Sequence, residues 1–173
     1  CHLQAKGGIS VNEGNSLTIY AQSDAETTMG SLTATAAQFS SAAGIGAEAN
    51  TNAGTVTING GKVSASGDLY AAGIGGSRMY GYGSVTIRGG LVEATAGEEA
   101  AGLGGGMQDQ GGSVLIAGGQ VSAKGDGNGA AIGAGSAGNG GDIVIQGGIV
   151  TAQGAFNAAI GGYDGGSFST GTN

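Results

Sequence analysis

The chain repeats itself every 29 residues. The pair Gly60-Gly61 recurs as Gly89-Gly90, Gly118-Gly119 and Gly147-Gly148. Other columns keep the same step: Val56, Val85, Val114, Ile143; Ile58, Ile87, Ile116, Ile145; Val63, Val92, Val121, Val150; and Ala65, Ala94, Ala123, Ala152. A fifth runs Ile45, Ile74, Leu103, Ile132 and then Ile160, one residue short of the period. Between these columns identity drifts, as Ser64 becomes Glu93, Ser122 and Thr151. The chain compared with itself thus separates buried positions from wetted ones, and a fixed period of this length signals stacked units.

Each unit reads as three short strands punctuated by glycine, for example 84–87, 91–94 and 100–103. The first two alternate apolar and polar residues and are rich in β-branched side chains, the pattern of strands buried on one face. Gly-Gly between them permits the positive φ of a sharp corner. No segment offers an apolar stripe of helical period. Strands this short cannot bury their own apolar face, so successive units must stack about 4.8 Å apart, valine on valine and isoleucine on isoleucine. The expected fold is all-β: a parallel β-helix with three short strands per 29-residue coil and about five to six coils. The general rule for parallel crossovers makes it right-handed. Its thin cross-section accounts for 42 glycines and an aromatic content of only 5%.

Residues 1–173 read as one β-helical domain. Positions 1–42 are degenerate coils with an eight-residue insertion within 22–29, positions 43–160 are the regular repeats, and 161–173 form a tail. Open β-helix ends are unpaired strand edges, so the chain is expected to be a piece of a longer protein whose flanking domains cap it. The absence of proline excludes collagen. Apolar runs of only about three residues leave no membrane-spanning helix and no signal-peptide core. With a net charge of −7 and five Lys and Arg, the chain is not expected to bind nucleic acid.

Residues 60–67 (Gly-Gly-Lys-Val-Ser-Ala-Ser-Gly), 71–76 (Ala-Ala-Gly-Ile-Gly-Gly) and 83–90 (Gly-Ser-Val-Thr-Ile-Arg-Gly-Gly) resemble the glycine-rich repeats of large secreted or wall-anchored surface proteins of anaerobic Gram-positive gut bacteria. The lead-in 7–20 is similar to the segment that opens such arrays. The resemblance implies an extracellular β-helical stalk or adhesin module, with a glycan or a host surface protein as partner. The repeats also resemble, more distantly, β-helical carbohydrate-binding domains that bind acidic plant polysaccharide. Neither resemblance places a catalytic motif on this chain.

Function is expected at the corners, since loops tolerate variation that core ladders do not. One stack follows the Ile-Gly strands. It holds Arg78, Tyr80 and Tyr82, with Gln108, Asp109 and Gln110 from the next coil and Asn50 and Asn52 from the previous one. An exposed tyrosine ringed by amides and carboxylates suits a sugar. The alternative is that Tyr80 and Tyr82 only cover the flank of the thin core. The opposite stack collects Asp68, Glu98, Glu99 and Asp126, beside Tyr70, Asn128, Phe156 and Asn157. These four acids are candidate calcium ligands, since calcium takes six to eight oxygens; the alternative is solvated acidic turns.

Other signals fail. The dinucleotide-like run 133–138 is followed by no helix. A threonine array of the ice-binding kind breaks down in the column Thr57, Thr86, Leu115, Val144. His2 is the one histidine and Cys1 the one cysteine, too few for a histidine-based triad, a zinc site or an internal disulfide. No carboxylate pair of the glycosidase kind stands on the outward strand positions. The expectation is a non-catalytic extracellular module of the adhesin or stalk type. The alternative is a carbohydrate-binding module, with or without calcium. A polysaccharide lyase or hydrolase, built on Glu98, Glu99 and Asp126, ranks third.

Overall fold

The computed structural model describes residues 1–21, 25, 28–109 and 112–162, and the backbone of 168–170. Six coils of three strands wind along the chain. The first holds β1 (His2–Gly7), β2 (Ile9–Ser10) and β3 (Ser16–Ile19), and the second β4 (Ser31–Ala36), β5 (Ile45–Gly46) and β6 (Thr55–Ile58). The third has β7 (Lys62–Ser66), β8 (Ile74–Gly75) and β9 (Gly83–Ile87), and the fourth β10 (Leu91–Thr95), β11 (Leu103–Gly104) and β12 (Gly112–Ile116). The fifth has β13 (Gln120–Lys124), β14 (Ile132–Gly133) and β15 (Asp142–Ile145), and the sixth β16 (Ile149–Gln153), β17 (Ile160–Gly161) and β18 (Phe168–Thr170).

Each strand pairs in parallel with its equivalent one coil away, giving three six-stranded sheets. Register follows the repeat residue for residue: Val63, Val92, Val121 and Val150 stand in one file, and Val56, Val85, Val114 and Ile143 in another. These files are the core. Val63, Ile58, Ile74, Ile87, Leu103 and Ile116 are fully buried, each such side chain contributing about 1.5–3 kcal/mol. The corner between the two longer strands turns on the second glycine of each pair, as expected: Gly61, Gly90, Gly119 and Gly148 all have φ near +90°. The insertion placed at 22–29 and the tail placed at 161–173 fall largely outside the described residues.

The third strand is shorter than the sequence pattern suggests. It is two residues, Leu103–Gly104, where 100–103 is expected. The chain doubles back around it: the Ala101 N–H donates to the Gly105 carbonyl at 2.9 Å, and Ala43–Ala47, Ala72–Gly76 and Ala130–Ala134 do the same. Folding back pushes Leu103 and its equivalents into the core and leaves both arms of the loop on one side.

Each arm turns through a left-handed residue. One column of positive φ is Ser41, Tyr70 and Glu99; the other is Asn50, Met79, Gln108 and Ala137. An L-residue with a Cβ costs about 1–2 kcal/mol in this conformation, which Gly adopts freely. Ala137 is exposed and its φ is 54°. Ala137→Gly is therefore expected to stabilise the protein by about 0.5–1 kcal/mol after the added freedom of the unfolded chain is subtracted. A rise in the urea midpoint at unchanged slope is the readout.

Candidate functional site

Because the loop folds back, its two arms meet, and the two corner stacks expected on opposite edges form one ridge. The Met107 N–H donates to the Tyr70 carbonyl at 2.9 Å, and the Ser136 N–H to the Glu99 carbonyl at 2.8 Å. The Arg78 guanidinium lies over the Tyr70 ring, 5.3 Å from its centroid, a contact worth about 0.5–1 kcal/mol at an exposed position. Met79 beside it is 53% exposed, Tyr70 and Tyr80 are half-buried, and Gln108 is exposed one coil on. Phe39 and Phe156, 82% and 85% exposed, stand at the two ends of the same ridge. Tyr70 and Met79 are large side chains on left-handed residues of a single coil, the sort of local strain that clusters at functional positions.

Two of the five residues expected on the sugar platform are interior instead. Tyr82 has no exposed surface. Its hydroxyl donates to the Gly140 carbonyl at 2.6 Å, two coils further along the axis. The ring runs lengthwise over residues without side chains: a Cβ on Gly112 would stand 2.7 Å from a ring carbon, and one on Gly141 would overlap the hydroxyl. Burial first, then the Asp109 and Asp142 carboxylates, push the Tyr82 phenol above its ordinary value, against a smaller opposing bond from the Gly112 backbone. No sugar can stack on this ring. Asp109, 2% exposed, likewise points inward, where Oδ2 accepts the Gly135 N–H at 3.2 Å. Arg78, Tyr80 and Gln108 remain at the surface, and Gln110 lies outside the described residues. Asn52 joins coils, its Oδ1 accepting the Gly81 N–H at 2.9 Å and its Nδ2 donating to Glu13 at 3.0 Å.

The four acids expected around a calcium ion are not drawn together. Among the described residues no three His, Cys, Asp or Glu side chains converge in a way that could hold a metal. Two of the four carboxylates hold backbone amides of neighbouring coils. Asp68 Oδ2 accepts the N–H groups of Ser40 (2.7 Å) and Ser41 (3.3 Å). Glu99 Oε2 accepts the N–H of Asn128 at 3.1 Å and its Nδ2 at 3.2 Å, and Asn157 continues the ladder by donating to the Asn128 carbonyl at 3.3 Å. Glu98 and Asp126 are exposed.

The Asn128 N–H, helped by the Ser136 and Asn128 side chains and opposed by partial burial, holds the Glu99 carboxyl below its ordinary value. A lowered folded pKa means stability that is present above the unfolded Glu value and lost as pH falls through the folded one. The urea midpoint of the wild type is therefore expected to fall more steeply between pH 5 and pH 3 than that of Glu99→Gln. Parallel pH profiles would contradict this role for Glu99.

A cleft of about 420 Å³, lined by Leu3, Ile9, Leu17, Ile19, Leu32 and Val63 among others, lies away from the ridge. It is the mouth of the core files at the first coil, since Leu3, Leu32 and Val63 are successive members of one file.

Three parallel sheets stacked at the period of the sequence define the protein as a β-solenoid of the β-helix class. Residues 56–78, 85–107 and 143–166 match the pattern of a β-helix repeat family. No curated protein matches the chain, and no solved structure does.

Proposed function

We propose that the protein is a non-catalytic extracellular module of the adhesin or stalk type, in which the solenoid is a rigid spacer and the ridge of the third coil is its contact surface. The observation that carries this reading is the Arg78–Tyr70 stack flanked by exposed Met79. On a rod whose outward strand positions are mostly Ser, Thr, Lys and Gln, this coil gathers Tyr, Arg and Met, the residues over-represented where proteins meet ligands. Asp68, Glu99 and Asp109 accept backbone N–H groups, an arrangement that supports a structural rather than an acid–base role for them. The extracellular placement rests on the resemblance of the repeats to bacterial surface proteins.

A carbohydrate ligand is the second reading, favoured by half-buried Tyr70 and Tyr80 with the Gln108 amide exposed nearby. A glycan array and a panel of immobilised host surface proteins, each probed with and without calcium, separate the two. Tyr70→Ala combined with Arg78→Ala is expected to reduce binding at least tenfold while leaving the unfolding midpoint within about 1 kcal/mol of wild type. Unchanged binding by this double variant rejects the ridge as the contact surface. Release of reducing ends or unsaturated products from any polysaccharide tested would reject the non-catalytic reading.

A further inference from the structure

The stacked coils segregate charge across the rod. All three lysines, Lys6, Lys62 and Lys124, are exposed on the outer face of the sheet β1-β4-β7-β10-β13-β16. Arg88, also exposed, sits at the glycine corner leading into that sheet. This flank thus holds four of the chain's five Lys and Arg, against one exposed acid, Glu93. The ridge is the reverse: Arg78 is its one cation among the described residues, beside exposed Glu48, Glu98 and Asp126 and half-buried Asp68 and Glu99.

Both sets run lengthwise along the rod, because both are carried on stacked coils. Lys6 and Lys124 stand in one file, four coils or about 19 Å apart, and Lys62 stands four residues away along the strands, at the other edge of the same sheet. On the ridge, the exposed acids Glu48, Glu98 and Asp126 belong to the second, fourth and fifth coils. None of the four cations on the sheet flank is paired with an acid among the described residues, and the Glu98 and Asp126 carboxylates accept no hydrogen bond there either.

We propose that the lysine-bearing face of one copy docks side by side on the acidic ridge of a second copy, with the two solenoid axes aligned. The match is one of charge: both strips run lengthwise along the rod, so aligned axes bring the most opposite charges together. Donor face and acceptor ridge are different surfaces, so the contact is heterologous and can propagate from copy to copy. It goes beyond the proposed contact surface on the third coil and uses neither Tyr70 nor Arg78.

Sedimentation velocity of the whole chain at pH 7 in 10 mM and 150 mM salt tests it, because the screening length shortens from about 30 Å to about 8 Å between these conditions. The expected result is concentration-dependent association in low salt, at least tenfold weaker in 150 mM. Lys62→Glu with Lys124→Glu, and separately Glu98→Lys with Asp126→Lys, are each expected to sediment as monomers in low salt. Mixing the two variants is expected to restore association, with the two alternating at equal stoichiometry, since the first carries acid on both surfaces and the second base on both. Wild type that stays monomeric at millimolar concentration in low salt overturns the proposal. So does association that strengthens with salt, or a mixture of two folded variants that does not pair.

Discussion

Gly104→Ala is expected to cost about 4 kcal/mol or more, among the largest effects of any single methyl group in this chain. Gly104 has φ +131°, and a Cβ built on it would overlap the Gly133 carbonyl oxygen of the next coil. That oxygen is fixed: it accepts the Gly105 N–H at 2.7 Å as part of the ladder between coils. Neither partner can retreat without opening the stack, so conformational strain and overlap add. Gly161→Ala is the matched control. Its φ is +130°, yet nothing described lies within 4 Å of the added Cβ, so only the strain of about 1–3 kcal/mol should appear. Urea denaturation followed by far-ultraviolet circular dichroism measures both. Equal losses in the two variants would show that backbone strain, and not the contact between coils, fixes the Ile-Gly column.

Tyr82→Ala should cost about 3–5 kcal/mol, the range for removing a buried aromatic ring. The space it leaves cannot collapse easily. It is floored by Gly112 and Gly141, residues without side chains to move in, and walled by backbone already committed to the ladder. Tyr82→Phe isolates the hydroxyl, whose bond to the Gly140 carbonyl ties the third coil to the fifth; a loss of about 1–2 kcal/mol is expected. If Tyr82→Ala were within 1 kcal/mol of wild type and instead abolished ligand binding, the ring would belong to the surface and the account of it as an internal tie would be wrong.

The core was legible because a repeat exposes its own constraints. Val63, Val92 and Val121 occupy identical surroundings, so their agreement reports burial without any outside comparison, and the observed register follows it. The corner pairs were legible for the same reason: four glycines at one phase of the repeat all adopt positive φ. The ridge was not. Tyr70 and Arg78 are eight positions apart on either side of Ile74-Gly75, and only the Ala72–Gly76 fold-back brings them into contact. An Ala-Ala-Gly-Ile-Gly run reads as a strand by alternation alone, and nothing in its local pattern announces a loop that points its apex inward. The departure of Tyr70 and Met79 from their columns, where the other coils carry Ser41 and Glu99 or Asn50, Gln108 and Ala137, was the available signal.

Tyr82 shows the opposite failure. Tyrosine next to glycine at a corner looks exposed, and single-residue chemistry favours a binding platform. Its burial depends on the glycines at 112 and 140–141, one and two coils away, which leave room for a ring lying lengthwise. The period, the parallel stacking and the identity of the core files were all readable from residue order, because translational repetition makes local apolar alternation add up to one architecture. Which corners meet, which aromatic ring faces solvent and where charge accumulates emerged from the folded coils alone. Those outcomes depend on contacts between residues at different phases of the repeat, and a comparison of the chain with itself, phase by phase, carries no information about them.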